Sequence, residues 1–338
     1  MNSSNKIHGS RLIRHFKNKP EWYYSMSIAA TWAGVGSLMM GIEMVQKNGL
    51  VPFLIWGAGN TLACIVFGLL APNIPYLRTV FNTKLIKIAI GLMCPFQIWL
   101  TLNGIQSVFV NTVLPDTFGI VFPLILSVVF VVILWKYGMI RNVLTDYLGW
   151  VLVYGLVAFL TIASLVYTKG ETLSVDMGLD NIPSAIEKFF LLIAGPFLYP
   201  YFFEILNYND HNEDQTRSVN TTKVFVNGGL LFGFYLLFTL VLAITRFSPV
   251  LNVIKAFLIV MIGISTLSSF IYGIYISFGK KLGLAINGAT IVLWQFLIPL
   301  GVMGVWTLMS TIRFIIVCLL IISAIIYGAF KKHKEHNP

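Results

Sequence analysis

FFLLIAGPFLYPYFFEIL (189–206) is apolar almost throughout, yet it carries Gly195-Pro196 at its centre and Pro200 four residues later. A proline has no backbone donor and clashes with the preceding turn, so a helix built on this stretch has to open where the Gly-Pro pair stands. A second stretch, SMSIAATWAGVGSLMMGIEMV (25–45), places Gly34, Gly36 and Gly41 close together without a proline. Its glycines permit either unwinding or close helix packing. Interrupted helices inside long apolar segments are the feature on which the rest of the reading turns.

Working outward, the whole chain has the composition of a membrane protein. Of 338 residues 57% are hydrophobic and only 11% charged, against roughly a quarter charged in soluble domains. No soluble globule hides that much apolar surface, and a span needs about 20 apolar residues. Ten such segments follow one another at 24–46, 50–72, 84–112, 117–136, 145–168, 183–206, 222–245, 249–279, 282–304 and 309–330. They are too long and too evenly apolar for barrel strands, so the fold class is an all-α integral membrane protein.

Charge gives the topology. Lys and Arg gather in the arm 1–23, around Arg78, Lys84 and Lys87, at Lys136 and Arg141, at Arg217 and Lys223, at Lys280 and Lys281, and in the tail 331–338. The alternate loops hold only Lys47, Lys169, Arg246 and Arg313. By the positive-inside rule the arm and the tail are cytoplasmic, around a single transmembrane domain at 24–330 in a cell (inner) membrane. The net charge of +10 is therefore a topology signal rather than a nucleic-acid footprint.

Ten spans divide as five and five, about 24–168 and 183–330. Because five is odd, the second half enters the membrane from the opposite side. The interrupted spans 1 and 6 then occupy corresponding positions of an inverted repeat, which is where a transporter builds its central site. Unwound carbonyls there suit a cation, and half-helix N-termini suit an anionic group. Trp32, Phe197 and Tyr199 flank the interruptions and are candidates for the solute pocket. Span 8 adds Ser265, Thr266, Ser268 and Ser269, a cluster of hydroxyl oxygens fit for a hard cation such as Na⁺.

Enzyme chemistry is not indicated. The chain holds no HExxH, GxSxG or Walker loop and no carboxylate pair at membrane depth. Cys64, Cys94 and Cys318 are isolated within apolar runs, and His8, His15, His211, His333 and His336 all fall in loops or tails. Trp22, Tyr23, Tyr24, Trp135, Trp150 and Trp306 fit interfacial aromatic belts.

Four stretches resemble the sodium/solute symporter family, which is built on the LeuT-type five-plus-five inverted repeat. ATWAGVGSLMMG (30–41) is similar to its first core helix and GPFLYPYFFEILNYND (195–210) to its sixth. YGMIRNVLTDYLGWVLVYG (137–155) is similar to its Thr-Asp entry into the fifth, and ISTLSS (264–269) to its eighth-helix motif. The resemblance implies a Na⁺ site made of the Thr31 and Gly34 carbonyls with the Ser265 and Thr266 hydroxyls, and a supporting role for Asp146. It also implies that span 3, through Gln97, lines the solute site, and that Gly34, Gly36, Gly41, Gly195, Pro196 and Pro200 shape the broken helices. The chain departs from the family in Tyr199, where some members have glutamine, and in Glu204, where an arginine is familiar. The expectation is Na⁺-coupled symport of a small organic solute by alternating access. A proton-coupled or uncoupled porter is the alternative within transport, and a non-transporting sensor or accessory protein the alternative outside it.

Overall fold

In a computed structural model of the chain, residues 20–74, 76–110, 116–137, 139–167, 174–207, 219–245 and 249–336 are described. Most of the basic arm 1–23, with His8 and His15, lies outside the described residues, as do His211, Lys169, Arg217, Arg246 and the end of the tail. The described residues are helical almost throughout and form no strand.

The first apolar segment is two helices, α1 (Pro20–Trp32) and α2 (Val35–Glu43), with five further residues wound as a π-helix. The axis turns by 56° at the break. Next come α3 (Leu50–Leu70), the short α4 (Leu77–Phe81) and α5 (Lys84–Gly91), and α6 (Cys94–Val110). Then follow α7 (Asp116–Tyr137), α8 (Met139–Tyr167), α9 (Ile182–Ile193), α10 (Pro200–Leu206) and α11 (Thr221–Ile244). The chain closes with α12 (Pro249–Leu293), which breaks at Gly279 (φ 74°), and α13 (Gly301–His336). Among the described residues seven helices are long and apolar enough to cross a membrane, and the bent α1–α2 pair makes an eighth. The chain is that of a multi-pass membrane protein.

Two groups of helices share the packing. α3 lies against α9 and α11, and α1 also packs on α11. α12 lies against α6, α7 and α8. α12 is the centre of the molecule, with 78% of its apolar stretch buried, against 28% in α7 and in α8. The outer faces of α7 and α8 expose Val121, Ile125, Val132, Val151 and Ile162, as helices facing lipid do.

The sequence-based boundaries shift at two places. Span 9 was expected to run to 304, but α12 stops at Leu293 and two 3₁₀ turns carry the chain to Gly301 (φ 62°). Pro299 and the positive φ of Gly301 account for the stop. The aromatic belt also needs correction. Trp22 and Trp135 are exposed, but Tyr23, Tyr24, Trp150 and Trp306 are buried. Trp150 packs on Tyr154 and Tyr235, because its face of α8 turns inward.

Candidate functional site

Both interruptions form where the residues require them. At the first, Gly34 is extended (φ −45°, ψ 162°), and its carbonyl accepts from Ser37 N–H (2.8 Å) and Ser37 Oγ (2.7 Å). At the second, α9 ends and Gly195–Leu198 tightens to a 3₁₀ turn. Tyr199 is then extended (φ −105°, ψ 103°) before α10 restarts at Pro200. The two breaks meet. A Cβ on Gly195 would strike the ring of Trp32, whose indole N–H is held by Asn60 O at 2.9 Å. Trp32 also packs on Tyr199, ring centroids 5.4 Å apart. Gly34 lies so close to Thr266 that a Cβ there would come within 3.1 Å of its methyl. Gly36 and Gly41 are not part of the break. Both are helical residues of α2, packed on Leu100 and on Thr239 and Trp56. Glycine serves close approach at these two positions, and unwinding only at Gly34.

Below the first break sits Asp146, fully buried near the start of α8. Its Oδ1 accepts from Ser265 Oγ at 2.7 Å, while Ser268 Oγ lies 3.5 Å away and donates to Ser265 O at 2.8 Å. Its Oδ2 accepts from Ser27 Oγ and from Ser269 Oγ, the latter at 3.4 Å. Two further hydroxyls stand behind these: Tyr201 Oη is 2.5 Å from Ser27 Oγ, and Thr31 Oγ1 is 2.8 Å from Ser269 Oγ. A hydroxyl has one proton to donate. With Ser27 and Ser269 donating to the carboxylate, Tyr201 donates to Ser27 and Thr31 to Ser269. The result is a hydroxyl network joining α1, α8, α10 and α12 on one carboxylate.

Thr31 also lines a cavity beside the breaks, with about 460 Å³ of space not filled by atoms. Trp32, Gln97 and Tyr199 line it too, and Gln97 Nε2 donates to Tyr199 Oη at 2.9 Å. Asn103 faces elsewhere, accepting from the Trp294 indole and donating to the Leu297 and Gly301 carbonyls. Phe197 is buried but lies edge-on against Phe67 (5.0 Å) and is not among the residues lining the cavity. Of the expected cation ligands, Gly34, Thr31 and Thr266 border the cavity and Ser265 faces Asp146. The Thr266 hydroxyl donates to Ile262 O at 3.1 Å.

The sequence reading placed Arg313 in a loop; it is a buried cavity residue. α13 begins twelve residues before it, which carries it inward. The cation lies 5.8 Å from the centre of the Tyr199 ring, and one guanidinium nitrogen is 2.9 Å from Met309 Sδ. Its signal in the sequence was a lone cation within VWTLMSTIRFIIVCLLIISAII (305–326). Ser27 and Tyr201 were missed as well, and neither carries a distinguishing local pattern.

No protein-family model matches this chain, and no curated protein aligns with it. The fold and site define a multi-pass helical membrane protein with two broken helices meeting at an internal cavity and a buried carboxylate.

Proposed function

We propose that the chain is a secondary active transporter that moves a small organic solute by alternating access, with Na⁺ as the coupling ion. It sits in a cell membrane with both termini in the cytoplasm. The observation that carries this reading is the link from Thr31, a cavity residue, through Ser269 to Asp146. A solute in the cavity and a cation at the carboxylate then compete for, or share, one set of hydroxyls, and that is the physical basis of coupling.

A ten-span count with the LeuT-type inverted repeat is part of the proposal. α12 supports it: 45 residues at about 1.5 Å each make a helix twice the thickness of a hydrocarbon core, and it breaks at Gly279. Two crossings from α12 and one from α9–α10 bring the eight apolar spans to ten. The breaks in the first and sixth spans then fall at matching positions of the two halves. α3 packs on α9 and α11, and α1 on α11, and these four helices form the moving bundle.

The donor set suits Na⁺. Asp146 brings one negative charge, and Ser265, Ser268, Ser269, Ser27 and Thr31 bring neutral oxygens, the hard ligands that alkali and alkaline-earth cations prefer. The Gly34 carbonyl is already committed to Ser37, so the weight of coordination falls on Asp146, Ser265 and the Thr31 carbonyl. A proton on Asp146 is the second reading, favoured by the hydroxyl chain that ends on the carboxylate. Solute uptake into proteoliposomes under a Na⁺ gradient, with Asp146→Asn as control, tests the proposal. Uptake driven equally by a pH gradient with K⁺ in place of Na⁺ would transfer the coupling to the proton.

A further inference from the structure

We infer that the cavity between the broken helices is an anion site, built for an organic monocarboxylate with an apolar or aromatic body and held by Arg313. The inference deepens the transport reading, and rests on it for the claim that the bound anion is cargo.

Arg313 is 4% exposed, at membrane depth, and borders the cavity. Its partners are Tyr199, through the ring face and a side-chain hydrogen bond, and the thioether of Met309, and neither neutralises a charge. Its Nε–H has no acceptor, and among the described residues no carboxylate forms an ion pair with it. Ionisable groups at that depth are costly and ordinarily face a partner or a water-filled path. A guanidinium offers parallel donors that match a carboxylate in a bidentate pair, which supplies what Arg313 lacks.

A second, independent feature carries the same sign. The cavity is bordered by Gly34, Gly36 and Ser37, the start of the nine-residue helix α2. Its dipole presents positive charge there. Among the described residues no Asp or Glu lines the cavity, so their fixed charge there is +1 with a positive helix end beside it. An amine or a sugar has no counterpart for that field.

The rest of the lining sets the body of the ligand. Trp32, Trp56, Trp306, Tyr199, Met40 and Leu100 are apolar or aromatic, with only the Asn60 and Gln97 amides and the Thr31, Ser37, Thr101 and Thr266 hydroxyls among them. A lining of this kind suits a small acid with one hydrophobic group rather than a poly-hydroxylated or dicarboxylic solute.

Three isosteric probes test this on the full chain purified in detergent: phenylacetate, 2-phenylacetamide and phenethylamine. Tryptophan fluorescence and thermal melting are read in Na⁺ buffer. Phenylacetate quenches saturably and raises the melting temperature, while the amide and the amine do neither at the same concentration. Arg313→Gln weakens phenylacetate by at least about tenfold, and Arg313→Lys by less. If Arg313→Gln does not fold, the probe series on the parent and on Arg313→Lys decides alone. Equal response to the amide or the amine overturns the inference. So does the absence of response to phenylacetate, benzoate and hexanoate together, or full retention of binding in a folded Arg313→Gln. Binding without flux in proteoliposomes would leave the anion site standing and defeat the transport reading. Flux of a neutral or cationic solute would do the reverse.

Discussion

Two buried ionisable residues, Asp146 near the first break and Arg313 beside the second, are treated in opposite ways. Asp146 is surrounded by hydroxyls: Ser27, Ser265 and Ser269 donate to it, Ser268 lies 3.5 Å away, and Thr31 and Tyr201 stand behind them. Arg313 has Tyr199, by its ring face and a side-chain hydrogen bond, a sulfur atom and, among the described residues, no acceptor for its Nε–H. The first is a completed network that holds four helices together. The second has no neutralising partner among the described residues. Equal burial therefore says little about role; what satisfies the buried group says more.

The comparison breaks first at Asp146. Asp146→Ala removes the acceptor shared by hydroxyls of α1 and α12, and the expected loss is about 2–4 kcal/mol of stability with all cation response gone. Chemical denaturation in detergent measures the first and Na⁺-dependent melting the second. A fully stable Asp146→Ala would show that the network is ornamental to the fold. Next in size is Gly195→Val, whose side chain meets the Trp32 ring. Its expected cost is about 1–3 kcal/mol, accompanied by a change in tryptophan fluorescence.

Arg313→Met sharpens the contrast most. Removing an unpaired buried cation in favour of an apolar side chain of similar length should leave stability unchanged or higher by about 1 kcal/mol, while solute binding is lost. A destabilisation as large as that of Asp146→Ala would assign Arg313 a structural role instead. The smallest effects separate the serines. Ser265→Ala, which loses the 2.7 Å bond, should cost about 1 kcal/mol, and Ser268→Ala, at 3.5 Å, about half that or less. Equal costs would indicate that the two hydroxyls exchange places around the carboxylate.

How much of this could be read from the chain depended on whether the signal was local. The break at Gly195-Pro196 and Pro200 was legible, because proline acts on its own turn whatever surrounds it. Gly34 was legible only as one of three glycines. Choosing it over Gly36 and Gly41 depends on Thr266, Leu100 and Thr239, residues far away in sequence. The hydroxyl cluster of 264–269 was visible as a cluster, but its centre on Asp146 spans a separation of about 120 residues that no local pattern encodes. Arg313 was counted as a loop cation because the end of span 9 was drawn past Pro299. Once α13 starts at Gly301, the same residue lies deep in a helix. Phe197 shows the opposite error: proximity to the break suggested the pocket, yet helix rotation points it at Phe67.

The most direct test of coupling through Asp146 is a Na⁺ titration of the melting temperature at constant ionic strength, K⁺ replacing Na⁺, for the parent and for Asp146→Asn. The account predicts a saturable rise with Na⁺ in the parent and a flat line in Asp146→Asn. Identical melting in Na⁺ and K⁺ for the parent, or an undiminished Na⁺ response in Asp146→Asn, would contradict it.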